Sequence, residues 1–155
     1  MSINDYNLAK EKASFYCAQQ DHCIFDIKKK LSQWGVDVTF YDDIIEYLIK
    51  ENFINETRYS ENFCLSKLHQ NKWGRKKISY ALSQKGIHNN DIQQGLAAIQ
   101  EDEYNSILHK LIIQKAKTIK GNSLFEKKQK LIKSITTKGF EPTLIIKMIK
   151  EESIF

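Results

Sequence analysis

One pattern occurs three times along this chain and constrains what it can fold into. Ile27-x-x-x-Leu31-x-x-x-Gly35-Val36, Ile78-x-x-x-Leu82-x-x-x-Gly86-Ile87 and Leu131-x-x-x-Ile135-x-x-x-Gly139-Phe140 place their glycines 51 and then 53 residues apart. Apolar residues four apart share one face of a helix. A glycine four residues beyond the second is where a left-handed residue ends a helix at little steric cost. In that motif the next residue packs back on the last turn, which pairs Val36 with Leu31, Ile87 with Leu82 and Phe140 with Ile135. Each of three units therefore contains the same helix with the same stop.

The flanks of each glycine are alike too. Ile92, Leu96 and Ile99 follow Gly86 at helical spacing, Ile145 and Ile149 follow Gly139, and Ile44, Ile45 and Leu48 follow Gly35 behind a longer turn. Pro142 suits the first position of its helix, where a missing N–H is harmless. Asn52-Phe53 repeats the stop with asparagine in place of glycine. Ahead of the shared helices, residues 5–19, 56–70 and 103–119 read as further helices. Asn55 is placed to cap the second of these, and Ser123-Leu124-Phe125-Glu126 reads as a capping box for the third shared helix. Residues 37–41 alternate too briefly for a strand and read as a turn. With one proline and six glycines the chain has little punctuation for a many-stranded fold. The expected fold is all-α: three tandem three-helix units at 1–52, 53–101 and 102–155, about nine helices in an elongated, curved, right-angle-packed array.

Charge is distributed unevenly. Residues 1–105 hold 13 Lys+Arg against 15 Asp+Glu, whereas residues 106–150 hold 11 Lys against Glu126 and Glu141 alone, within a net charge of +5. A concentrated basic third suits a polyanionic partner, and it equally suits a solvated lysine face. No run approaches the roughly 18 apolar residues of a membrane span. Residues 1–20 lack the apolar core of an export signal, so a cytoplasmic protein is expected. Cys17, Cys23 and Cys64 show no C-x-x-C spacing and read as packing residues. Beside Cys23, His22 finds no further ligands at a metal-binding spacing, so no metal or other cofactor is expected. Asp42-Asp43 and Glu101-Asp102-Glu103 sit at helix starts, where acids need no catalytic role. With no G-x-S-x-G turn and no phosphate loop, the chain reads as a non-enzyme.

The basic clusters are the candidate site. Counting back from Leu82 puts Arg75, Lys76 and Lys77 in the first turn of the second shared helix, and Lys128 and Lys130 match Arg75 and Lys77 in the third. Cations there oppose the helix dipole at about 0.3–1 kcal/mol each, a repeated cost that fits a functional surface. Unit one departs, with Ile24 and Asp26 at those positions and its lysines at Lys28, Lys29 and Lys30. Trp73, beside Lys72, reads either as a stacking or anchoring residue or as packing on the preceding helix.

These segments resemble the RecX family, regulators of the recombinase RecA. Phe53-Ile54-Asn55-Glu56-Thr57-Arg58-Tyr59-Ser60, Lys72-Trp73-Gly74-Arg75-Lys76-Lys77-Ile78, Leu82-Ser83-Gln84-Lys85-Gly86-Ile87 and Lys138-Gly139-Phe140 carry the resemblance, which spans residues 15–150. Unit one departs from the family's arginine, serine and glutamate, having Gln20, Cys23 and Asp26 there. The resemblance implies a monomeric DNA-repair regulator lodged in the groove of the RecA–DNA filament. It would restrain RecA's ATPase, strand-exchange and co-protease activities, and with them recombination and the SOS response. Its partner- or DNA-binding residues are expected to be Lys72, Trp73, Arg75, Lys76, Lys77, Lys85, Lys128 and Lys130. An autonomous basic helical module that binds nucleic acid directly is the alternative.

Overall fold

The computed structural model describes residues 5–155. Among these residues the chain forms nine α-helices and no strand: α1 (Tyr6–Gln19), α2 (Ile24–Gln33), α3 (Tyr41–Lys50), α4 (Glu56–Asn71), α5 (Arg75–Gln84), α6 (Asn89–Ala97), α7 (Glu101–Ala116), α8 (Leu124–Thr137) and α9 (Pro142–Glu151). Residues 37–41 contain a single 3-10 turn, Val38–Phe40, whose entry Asp37 closes by accepting the Thr39 N–H at 2.9 Å.

Local chemistry sets most boundaries. Asp5 caps α1 and Asn55 caps α4, its side chain accepting the Arg58 N–H at 2.9 Å. Ser123 accepts the Glu126 N–H at 3.1 Å, but the reciprocal carboxylate bond goes to the Asn122 N–H at 2.8 Å, one residue earlier than a capping box places it. Gly35, Gly86 and Gly139 all have positive φ, as does Asn52 at 59°. The fold-back follows at the first two, with Val36 N–H donating to the Leu31 carbonyl at 3.0 Å and Ile87 N–H to the Leu82 carbonyl at 3.3 Å. Helix α7 differs from expectation at both ends. It takes Glu101 and Asp102 into its first turn, and it stops at Ala116, where the Thr118 N–H tightens to an i→i−3 bond and its hydroxyl also donates to the Lys115 carbonyl.

The helices pack as two compact bodies, one made of Met1–Asn62 with Leu82–Gly95 and the other of Phe63–Ala81 with Leu96–Phe155. In the first, α1, α2 and α3 enclose Ala13, Ile27, Leu31, Ile44 and Leu48, with Cys17 buried among them. In the second, α7, α8 and α9 pack on one another around Leu108, Ile112, Leu131, Ile135 and Ile145. Each such aliphatic side chain contributes roughly 1.5–3 kcal/mol by leaving water. The packing divides the chain differently from the repeat: residues 63–81, in the middle of the second sequence unit, fold with the chain's final third. Charge is sorted with them. The first body carries 8 Lys+Arg against 12 Asp+Glu, net −4, and the second 16 against 7, net +9. Among the described residues no helix is long and apolar enough to cross a membrane.

Candidate functional site

The candidate cations cluster where α4 gives way to α5, within the basic body. Helix α4 ends on Asn71, and the left-handed position that follows holds neither glycine nor asparagine. Lys72 adopts the left-handed conformation instead, at φ 57°, and the chain turns so that the Trp73 N–H donates to the Lys67 carbonyl at 3.1 Å. Gly74 follows and Arg75 opens α5. The first N–H groups of a helix lack partners within it, and other elements supply them here. Gly74 N–H donates to the Lys138 carbonyl at 2.8 Å and Lys76 N–H to the Gly139 carbonyl at 2.9 Å. Arg75 N–H donates to the Tyr104 phenolic oxygen at 3.1 Å. The stop of α8 is therefore also the cap of α5. The approach leaves no room for side chains: a Cβ on Gly74 would sit 2.5 Å from the Gly139 carbonyl oxygen, and one on Gly139 would sit 2.6 Å from the Lys77 nitrogen.

Arg75 completes this junction. Its guanidinium lies 3.8 Å from the centroid of the Tyr104 ring. It donates to Glu101 at 2.5 Å and to Glu141 at 2.8 Å, while the Tyr104 hydroxyl donates to Glu141 at 2.5 Å. Burial would lower the Arg75 pKa, but the two carboxylates outweigh it and hold the group above its usual value. Burial, and then the bond to Glu141, push the Tyr104 phenol up. Arg75 thus stays charged and Tyr104 neutral, which locks the starts of α5, α7 and α9 together.

The other candidates divide by environment. Lys85 lies in the acidic body, bonded to Asp26 at 2.8 Å. Lys72 donates to the His69 carbonyl at 2.6 Å. Lys130 pairs with Glu126 at 3.2 Å and donates to the Lys120 carbonyl at 2.8 Å. Half-buried Lys128 lines a groove between α8 and α9. Trp73, also half-buried, stands between two ammonium groups, with Lys67 4.9 Å and Lys77 4.6 Å from its ring centroid. Lys67 lies 5.4 Å from the Phe63 ring as well. Lys76 and Lys77 are exposed and, among the described residues, form no ion pair. Exposed cation–π contacts are worth about 0.5–1 kcal/mol, so Lys67 and Lys77 can leave Trp73 for a partner's acids at little cost. Sequence reading missed Lys67, which carries no motif and reaches Trp73 only because α4 stops at Lys72. It also missed Tyr104 and Glu141, which meet Arg75 from 29 and 66 residues away.

Comparison with known proteins follows the same residues. The family model described as RecX, second three-helix domain, matches residues 55–96. A regulatory protein RecX from Leuconostoc mesenteroides is 29% identical over 119 residues, covering 77% of this chain and 45% of that protein. One from Lactococcus lactis is 30% identical over 156 residues, covering 99% of this chain and 57% of that protein. The chain thus spans about half the length of these relatives. Among solved structures, a regulatory protein RecX superposes with a TM-score of 0.84 at 24% identity, covering 94% of this chain and 73% of that one. RecX from Lactobacillus salivarius does so with a TM-score of 0.83 at 24% identity, covering 97% of each chain. These structures share the fold.

Proposed function

The chain belongs to the RecX family of regulatory proteins, and from that premise we propose that it binds the RecA–DNA filament in the cytoplasm. It restrains RecA's ATPase, strand-exchange and co-protease activities without chemistry of its own, each of its three sequence units being free to meet a different RecA subunit. The observation that carries the reading is the cluster of half-buried Phe63, Lys67 and Trp73 with exposed Lys76 and Lys77 on a body of net charge +9. A half-buried tryptophan between two cations suits a protein interface anchor, and long-range charge favours an assembly that carries DNA.

Changing Lys76 and Lys77 together to Glu tests this. Arg75 is left alone because it holds the fold. The double variant should keep its helicity by circular dichroism and need about tenfold or more higher concentration to half-inhibit RecA's DNA-dependent ATPase. Pull-down by RecA filaments should exceed binding to bare single-stranded DNA at equal salt. Equal affinity for the two would favour the autonomous nucleic-acid module, and undiminished inhibition by the variant would remove these lysines from the interface.

A further inference from the structure

Leu124 and Phe125, opening α8, Ile146 on α9, and Phe155 beyond it are large apolar side chains left exposed on the basic body. Ile146 and Phe155 line a groove of about 480 Å³ between α8 and α9, and Leu124 and Phe125 precede Lys128 by about one turn on α8, where Lys128 also lines it. Its floor includes the buried Ile149, and Ile132 contributes from α8. Lys128 and Lys150 are the only charged residues among those lining it. Two acids of the neighbourhood are engaged elsewhere: Glu126 binds the Asn122 N–H at 2.8 Å and Lys130 at 3.2 Å, and Glu152 lies 3.4 Å from His109.

The corresponding helix pair of the first unit provides a contrast. Between α2 and α3 the acidic body has a groove of equal volume, about 480 Å³, also floored by isoleucines. There Asp42 and Glu46 stand beside Lys28 and Lys50, so no single sign of charge prevails. The repeat has left the same kind of groove twice, and only in the α8–α9 groove are the charged lining side chains all cationic.

We propose that the α8–α9 groove docks an acidic amphipathic helix of a partner protein. Apolar residues at i, i+3, i+4 and i+7 of such a helix would fill the space over Ile132, Ile146 and Ile149. Its flanking carboxylates would meet Lys128 and Lys150 in charge-assisted contacts. The net charge of +9 on this body draws such a segment in from a distance. This surface is separate from the Trp73 cluster and does not rest on the identity of the filament partner.

The test uses the full chain and a fluorescein-labelled synthetic helix with Leu and Phe at that spacing and Glu between them. The controls are a scrambled peptide of the same composition and an isomer with Lys in place of Glu. By fluorescence anisotropy the acidic amphipathic peptide should bind at least about tenfold more tightly than either control. Ile146→Asp, and Lys128→Glu with Lys150→Glu, should each weaken it about tenfold. Ile49→Asp in the other groove should leave it unchanged. Circular dichroism melting checks that each variant folds, and Ile146 and Lys150 are exposed enough to be replaced. Equal binding of the scrambled peptide would reduce the effect to bulk charge and overturn the proposal. So would displacement of the peptide by a single-stranded oligonucleotide. Sedimentation showing a dimer that Ile146→Asp dissolves would instead make the groove a contact between copies.

Discussion

Gly86 and Gly139 occupy the same place in the repeat, yet alanine should cost very different amounts at the two. Gly86 has φ +73° and nothing within 4 Å of where a Cβ would stand. The only penalty there is the left-handed backbone, about 1–2 kcal/mol for an ordinary residue. Loss of unfolded-chain entropy returns about 0.4–1 kcal/mol, leaving a net cost of roughly 1 kcal/mol. At Gly139, φ +99°, alanine carries the same backbone term, and its Cβ would in addition press on the Lys77 backbone, 2.6 Å away at its nitrogen. Moving it away breaks the Gly74-to-Lys138 and Lys76-to-Gly139 hydrogen bonds. At about 0.5–1.5 kcal/mol each these raise the total to roughly 2–4 kcal/mol. Urea unfolding reads the difference as a larger fall in midpoint for Gly139→Ala at unchanged slope. Native-state amide exchange localises it: Gly74 and Lys76 should lose protection in Gly139→Ala and keep it in Gly86→Ala. Equal destabilisation, with both amides still protected, would refute the idea that the α8 stop caps α5.

Two further substitutions probe the interior. Tyr104→Phe keeps the ring against Phe140, 5.1 Å between centroids, but removes the acceptor of the Arg75 N–H and the donor to Glu141. Leaving those groups short of partners should cost about 2–4 kcal/mol in urea unfolding, and a parental midpoint would show the cluster to be dispensable. Burial alone would raise the Asp26 pKa, but bonds from Lys85, Cys23 and Tyr59 and the Lys85 charge prevail and hold it below the usual carboxylate range. Its stabilising contribution is therefore complete above the unfolded pKa of about 3.9 and is lost as pH falls through the lower folded value. Asp26→Asn should melt lower at neutral pH and lose less on acidification, and parallel melting curves for variant and parent across the acid range would contradict this.

The helices were legible in the sequence wherever their ends are governed by neighbours in the chain. Asp5 and Gln19 bracket α1, Asn55 caps α4, Pro142 opens α9, and Gly35, Gly86, Gly139 and Asn52 take the left-handed conformation. The end of α4 was read to within one residue, but its left-handed turn at Lys72 was not legible, because lysine has no preference for positive φ and is held there by the turn that brings Trp73 back to Lys67. Charge was partly legible. The lysines of residues 106–150 stand out in the sequence, but packing joins them to Lys67, Lys72, Arg75, Lys76 and Lys77 by taking residues 63–81 into the same body. The Arg75 junction was invisible because each of its partners is an unremarkable helix-start residue until the chain folds.

That junction also separates motif from site. From the sequence alone, cations in the first turn of α5 looked like a cost borne for function. For Arg75 the cost is offset within the fold by Glu101 and Glu141, so its charge serves the joining of helices. Lys76 and Lys77 have no such compensation among the described residues. The glycines beside them, which carry much of the family resemblance, are spent on a backbone contact between Gly74 and Gly139. A family signature of this kind preserves the geometry that holds a surface in place. On the function proposed above, partner recognition would fall to the side chains that the geometry leaves uncompensated and exposed, namely Lys76 and Lys77 next to Trp73. Exchanging Arg75 for another residue would accordingly alter binding only by loosening α5, whereas reversing Lys76 and Lys77 should alter binding with α5 intact.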